Sequence, residues 1–270
     1  MKLRAFIKNN LIVESINDKN ILKAIFLAGS PGAGKTTLAK KAFGIDNNNI
    51  APGGMKFVSS DSIYERKGGP KKMDFNNVEV SKKYGQAQDL SQSQYENLMD
   101  NYNSMVIDGT GRNLDVIREK KKILEEDGYT VYMIFVNAPL HESMERNRSR
   151  ERVLKDVIVA GTSVEARKNL DKFRAMFESR FFLVDNSDQR TAREKELLDK
   201  KNEELKAIKG DPDFKKKALA IESKFRSNKT LETELKQIAN KINSEKISPE
   251  QLKKAKSART LELSDFFKGI

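Results

Sequence analysis

The chain has 270 residues, enough for one or two domains, with no cysteine and a single histidine, His141. That excludes a disulfide framework, cysteine zinc sites and any centre built on several histidines. The net charge of +12 invites a polyanionic partner, yet it is spread evenly: 30 Lys+Arg against 24 Asp+Glu in residues 1–185, and 21 against 15 in 186–270.

Residues 1–20 read as an N-terminal amphipathic segment, with Leu3, Phe6, Ile7, Leu11, Ile12 and Ile16 at mixed helical spacing among Lys and Arg. No apolar run approaches the ~20 residues of a membrane span, so a cytoplasmic protein without a membrane partner is expected. Within the segment, Ile12-Val13-Glu14 before Ser15 resembles the cleavage consensus of prohead proteases in large tailed bacteriophages. A phage-encoded protein would work in the host cytoplasm.

The stretch Ala24-Ile25-Phe26-Leu27-Ala28 has the short apolar character of a buried parallel strand. It runs into Gly29-Ser30-Pro31-Gly32-Ala33-Gly34-Lys35-Thr36, a complete G-x-x-x-x-G-K-[ST] motif. A helix from Thr36 and Thr37 to Gly44 follows. Strand, glycine loop and helix form a phosphate cradle, because the glycines let backbone N–H groups turn inward and the helix adds the positive end of its dipole. Gly29 through Thr37 are therefore expected to hold a nucleoside triphosphate, ATP, with Lys35 on its β- and γ-phosphates and Thr36 on Mg²⁺.

Asp46 to Gly54 reads as a loop, and Met55 to Ser60 as a second strand ending at Asp61. A polar loop with Gly68, Gly69 and Pro70 comes next. Residues 76–101 read as a helix that offers Tyr84, Gln88 and Tyr95 to a cleft. Ser104 to Asp108 is a third strand, closing on Gly109-Thr110-Gly111-Arg112, and Asn113 caps a helix that stops at Gly128. Thr130 to Val136 is a fourth strand. Pro139 opens a helix carrying Arg146, Arg148, Arg150 and Arg152, a further helix covers 163–179, and Phe181 to Val184 is a fifth strand. Alternating strands and helices predict a parallel α/β sheet whose site lies beyond the carboxyl ends of the strands. Asp61 then stands as an acceptor-side base, Asp108 as a Mg²⁺ or substrate carboxylate, and the arginines as a lid.

Residues 189–270 show no strand signal. Gly210 followed by Asp211-Pro212, the Leu231, Leu235, Ile238 and Ile242 spacing, and Ser248-Pro249-Glu250-Gln251 read as about four amphipathic helices. They form an all-helical C-terminal appendage that could be a bundle, a clamp on the core or a surface for a protein partner.

The set GSPGAGKT, SSDSIY, VIDGTGR, ERNRSRERV and LVDNS, within residues 22–187, resembles the P-loop kinases grouped with zeta toxins and polynucleotide 5′-hydroxyl kinases. The resemblance implies a P-loop kinase domain over 21–188 with a five-stranded parallel sheet flanked by helices. It makes Asp61 the general base, places Arg146, Asn147 and Arg150 in the lid, and sets Asp108, Thr110 and Arg112 beside the acceptor. Asn186 and Ser187 would hold the nucleotide base. The sequence departs from the polynucleotide kinases in having Ser60 before Asp61 and Tyr64 where they carry an Arg, with Arg66 available instead. Asp108 replaces a glutamate commoner in zeta toxins.

The expected activity is ATP-dependent transfer to a hydroxyl of DNA or RNA (a 5′-OH or a modified base) or of a nucleotide-sugar. The alternative is a nucleotide-gated switch with weak ATPase activity whose helical tail recruits a partner.

Overall fold

The computed structural model describes residues 22–52, 54–225 and 230–255. The N-terminal amphipathic segment and the Ile12-Val13-Glu14 site lie outside them. Five parallel strands form the main sheet: β1 (Lys23–Ala28), β2 (Lys56–Val58), β4 (Met105–Ile107), β5 (Thr130–Asn137) and β7 (Phe181–Asp185), in the spatial order β2-β4-β1-β5-β7. This is the parallel α/β sheet expected from the strand–helix alternation, with the five strands flanked by helices that the resemblance implies.

Successive residues of each strand alternate between two cores, as the pleat requires. Ile25, Leu27, Phe57, Val106, Tyr132, Ile134, Val136 and Val184 face one side. Helix α1 (Lys35–Phe43) covers them with Leu38, Ala39 and Phe43. On the other side Ala24, Phe26, Ala28, Met105, Ile107, Val131, Met133 and Phe135 meet the remaining helices. These are α3 (Val78–Asp100), α4 (Leu114–Glu126), α6 (Asp156–Lys168) and α7 (Leu170–Phe177).

Three boundaries differ from the sequence reading. The helix read over 163–179 is two, α6 and α7, separated at Asn169. The second strand stops at Val58, because Ser59 caps a short helix α2 (Ser60–Arg66) by accepting from the Ser62 N–H at 3.3 Å. Asp61 thus sits in a first helical turn rather than on a strand end. The arginine helix α5 (Leu140–Arg148) ends before Arg150 and Arg152, which lie on the way to β6 (Val153–Leu154). That two-residue strand pairs with β3 (Lys72–Met73) in a separate ladder, pinning the arginine loop beside α2 and α3.

The C-terminal region is all-helical among its described residues and divides into two parts. Helices α8 (Asp188–Ala207) and α9 (Phe214–Phe225) pack on each other and bury no residue. Helix α10 (Leu231–Ser244) instead lies on α1 and β7, and its Leu235, Ile238, Ala239 and Ile242 complete the first core. Beyond it the chain passes the amino ends of the strands. Lys23 Nζ donates to the Asn243 carbonyl at 2.9 Å, and the Tyr132 hydroxyl to Glu245 at 2.7 Å. The capping box forms as read: Ser248 N–H donates to Gln251 Oε1 (2.9 Å) and Gln251 N–H to Ser248 Oγ (3.1 Å). Ala255 then enters the second core. Residues 231–255 therefore clamp both faces of the sheet, one of the arrangements the sequence left open.

Ile242 is 0% exposed and Leu198 55%. Ile242→Ala is expected to cost about 2–5 kcal/mol in urea unfolding, whereas Leu198→Ala stays within about 0.5 kcal/mol. Equal, small effects would show that α10 is dispensable to the core.

Candidate active site

The site lies at the carboxyl edge, where β2, β4 and β1 end side by side. The loop after β1 is shaped by glycine. Gly32 has φ +88°, and a Cβ there would fall 2.0 Å from the Ser143 carbonyl oxygen. Gly34 caps α1 at φ 89° with no side-chain hydrogen bond to the helix, so the first N–H groups of α1 remain available to an anion. Ser30 Oγ hydrogen bonds to Ser163 Oγ on α6, tying the loop to the opposite wall. The Asn186 amide donates to the Ala33 carbonyl at 2.8 Å and cinches the loop from the β7 side.

Lys35 is buried, and its Nζ donates to the Gly29 and Ser30 carbonyls at 2.9 Å each. Burial lowers its pKa, with the Asp108 charge pulling the other way. Thr36 Oγ1 and Ser59 Oγ both donate to Asp108 Oδ2, at 3.4 and 3.1 Å. Asp108 Oδ1 is buried and has no hydrogen-bond partner among the described residues. Burial raises the Asp108 pKa against the opposing pull of Lys35. An orphaned carboxylate oxygen next to a P-loop threonine fits the oxygen chemistry of Mg²⁺, which takes one or two protein ligands and fills its shell with phosphates and water. Among the described residues no group of three or more His, Cys, Asp or Glu could form a metal cage.

Asp61 is held at both oxygens. The Tyr84 hydroxyl donates to Oδ1 at 3.2 Å, and the Arg152 guanidinium donates to Oδ2. Arg152 also donates through Nε to Glu65 at 3.3 Å and is almost fully buried. Asn147 fixes the loop that carries it, with its amide donating to the Leu154 carbonyl at 2.8 Å and accepting from the Leu154 N–H at 3.3 Å. Arg150 faces the same space, and its guanidinium makes no hydrogen bond or ion pair among the described residues. Thr110 and Arg112 line it from the other side, in a loop held by Asn169, whose amide donates to the Gly111 and Arg112 carbonyls at 3.0 Å each. Pro31, Lys35, Thr36, Asp61, Asp108 and Arg150 thus open into one cavity of about 630 Å³, within the range of small-molecule sites.

Three expected residues stand elsewhere. Arg146, read as a lid cation, turns toward β7: it donates to the Asn186 carbonyl at 2.9 Å and to Glu142 at 3.0 Å, and pairs with Asp188. Its place four residues after the buried Glu142 on α5 fixes that orientation. Arg66 is exposed and donates to the Ser62 carbonyl of its own helix at 3.3 Å, away from the cavity. Thr37 is exposed on α1 and does not line it. Asn186 is beside the loop, but its amide holds the Ala33 carbonyl. The sequence reading gave no role to Ser59 or Ser163, read Arg152 only as one of the lid arginines, and placed Tyr84 in the cleft without its partner.

The model of the zeta toxin family matches residues 14–202. The chain belongs to the zeta toxin family. Membership supports a phosphotransferase on a P-loop kinase fold. No curated protein matches the sequence. Among solved structures, the chain is similar to one from the PezAT toxin–antitoxin system of Streptococcus pneumoniae, at 21% identity and TM-score 0.43, covering 67% of this chain and 76% of that one. It is similar to a chain of the AvrRxo1-ORF1:-ORF2 complex at 16% identity and TM-score 0.48, covering 87% and 88%. A chain of the Pnkp1/Rnl/Hen1 RNA repair complex matches at 16% identity and TM-score 0.43 over 59% of this chain, which spans about half of that one, 48%.

The raised Asp108 pKa fixes the sign of a stability effect. Its contribution is fully present below the ordinary carboxylate pKa and is lost as pH rises through the higher folded value. Asp108→Asn is therefore expected to raise Tm at pH 7 in metal-free buffer, with the gain shrinking toward pH 4 in a thermal scan. A lower Tm at pH 7 would contradict the burial argument.

Proposed function

We propose that this protein transfers the γ-phosphate of ATP to an alcohol hydroxyl, on a nucleic acid (5′-OH or modified base) or a nucleotide-sugar. The observation that carries the reading is the convergence of the P-loop lysine, the Thr36–Asp108 pair and Asp61 on one cavity.

The triphosphate would lie on the N–H groups from Gly29 to Thr36. Lys35 would exchange its two loop carbonyls for phosphate oxygens, a trade that keeps its charge satisfied. Thr36 and Asp108 would hold Mg²⁺, which supplies charge neutralisation across the phosphates when bound. Asp61 would accept the hydroxyl proton as the acceptor oxygen bonds to the γ-phosphorus and the bond to the β-phosphate oxygen breaks, releasing ADP. Arg150 has no side-chain partner among the described residues to give up and would neutralise charge on the transferring group. Arg152 would have to leave Oδ2 of Asp61 for the base to receive a proton. Phe75, Tyr84, Gln88 and Arg112 line the cavity beyond Asp61 and would flank the acceptor.

Asp61→Asn keeps the shape of the side chain and removes its basicity. It is expected to lower transfer by about 10²–10⁴-fold while ATP affinity stays within roughly twofold. Retained transfer would remove Asp61 from the base role. The activity is tested with γ-labelled ATP against three pools: 5′-hydroxyl oligonucleotides, duplex DNA carrying hydroxymethylated bases, and UDP-sugars. Label in one pool supports the kinase and names its acceptor. Phosphate release with no labelled pool would favour the nucleotide-gated switch.

A further inference from the structure

Both oxygens of Asp61 are engaged, but the two partners are of different kinds. Arg152 sits on a loop between α5 and β6 and is a cation within reach of the space where phosphates would lie. Tyr84 is neutral and sits on the 23-residue helix α3, whose Ser81, Tyr84 and Gln88 point into the same cavity at helical spacing. Its ring is fixed by edge contacts to Phe75 (centroids 5.4 Å apart) and Tyr64 (5.7 Å). Tyr64 is itself buried and donates to the Pro70 carbonyl at 3.2 Å, so the support under Tyr84 is rigid.

We propose that Tyr84 is a positioning residue for Asp61: its hydroxyl clasps Oδ1, so that Oδ2 alone is presented to the acceptor hydroxyl once Arg152 withdraws. This rests on the reading of Asp61 as general base. Ser60 also meets the Tyr84 phenol, and the phenol hydroxyl donates to Asp61 Oδ1. Burial and the Asp61 charge push the Tyr84 pKa up to about 12, so the phenol stays a donor throughout the working range. The hydrogen bonds recorded for the Asp61 carboxylate come from Tyr84 and Arg152. With Arg152 on phosphate, Tyr84 is what keeps a partly exposed carboxylate in one rotamer, and catalysis by a base needs that orientation.

Tyr84→Phe keeps the ring and deletes the clasp. Two readouts are made on the full chain. In ¹³C NMR at fixed pH, the Asp61 carboxylate signal is expected to shift in the variant, because the hydrogen bond to Oδ1 has gone. In transfer assays, kcat is expected to fall roughly tenfold with the KM for ATP unchanged, the loss typical of a hydrogen bond to a charged group. An unmoved carboxylate signal would overturn the proposal, and so would a wild-type kcat. A variant whose only change is a lower Tm would also overturn it, since that marks a purely structural ring. The NMR readout needs no acceptor. If wild type labels no pool, the kinase reading fails, while the carboxylate signal still decides whether the clasp exists.

Discussion

The placing of β4 between β1 and β2 is the constraint on which the rest of the site depends. Parallel pairing aligns Phe26 with Ile107 and Val58 with Ile107, so the three strands finish together at one edge. The residues that follow each strand are therefore neighbours in space: the glycine loop after β1, Ser59 to Asp61 after β2, and Asp108 after β4. The backbone extends the alignment one step further, with the Asp108 N–H donating to the Val58 carbonyl and the Gly29 N–H to the Thr110 carbonyl, both at 2.9 Å. A carboxylate is driven into this crowded edge against the cost of burial, and one of its oxygens stays without a donor. That unmet demand is what gives the position its chemistry.

Around Asp108 two of the site's cations rest on protein partners and Arg150 does not. Lys35 rests on two loop carbonyls and Arg152 on Asp61 and Glu65, each a contact that phosphate oxygens can replace. On the proposed reading, binding would exchange these partners rather than strip them, which would keep Lys35 and Arg152 paired at every stage. Arg146 belongs to a different unit. With Glu142, Asp188 and Asn186 it braces the turn from β7 into α8, and Asn186 passes that brace to the glycine loop through Ala33. Continuing from there, Arg190 of α8 pairs with Glu234 of α10, so the loop is connected to the clamp that closes the first core.

What was legible in the sequence followed from local rules. The glycine motif, the Asn113 cap, the stop at Gly128 and the Ser248–Gln251 box depend on residues a few positions apart, and the structure forms them. The strands were legible as short apolar runs. Other features turn on partners far apart in sequence. Arg152 reaches Asp61 across 91 positions and Tyr84 across 23, and no periodicity encodes either meeting. The β3–β6 ladder is two residues long, below the length at which alternation can be seen. The spacing of Leu235, Ile238 and Ile242 showed which face of α10 is apolar, but not that α1 and β7 lie beneath it. Ser59 misled in a different way: an apolar run suggested a strand through Ser60, while its hydroxyl ended that strand and began a helix.

On the proposed reading one nucleoside triphosphate would sit on the glycine loop, and Thr36 and Asp108 would hold Mg²⁺. Isothermal titration with a non-hydrolysable ATP analogue, in Mg²⁺ and in EDTA, tests this most directly, with Lys35→Ala measured alongside. The expected result is a single site per chain, tightened at least about tenfold by Mg²⁺ and lost or severely weakened in Lys35→Ala. Binding that ignores both the metal and the lysine would contradict it.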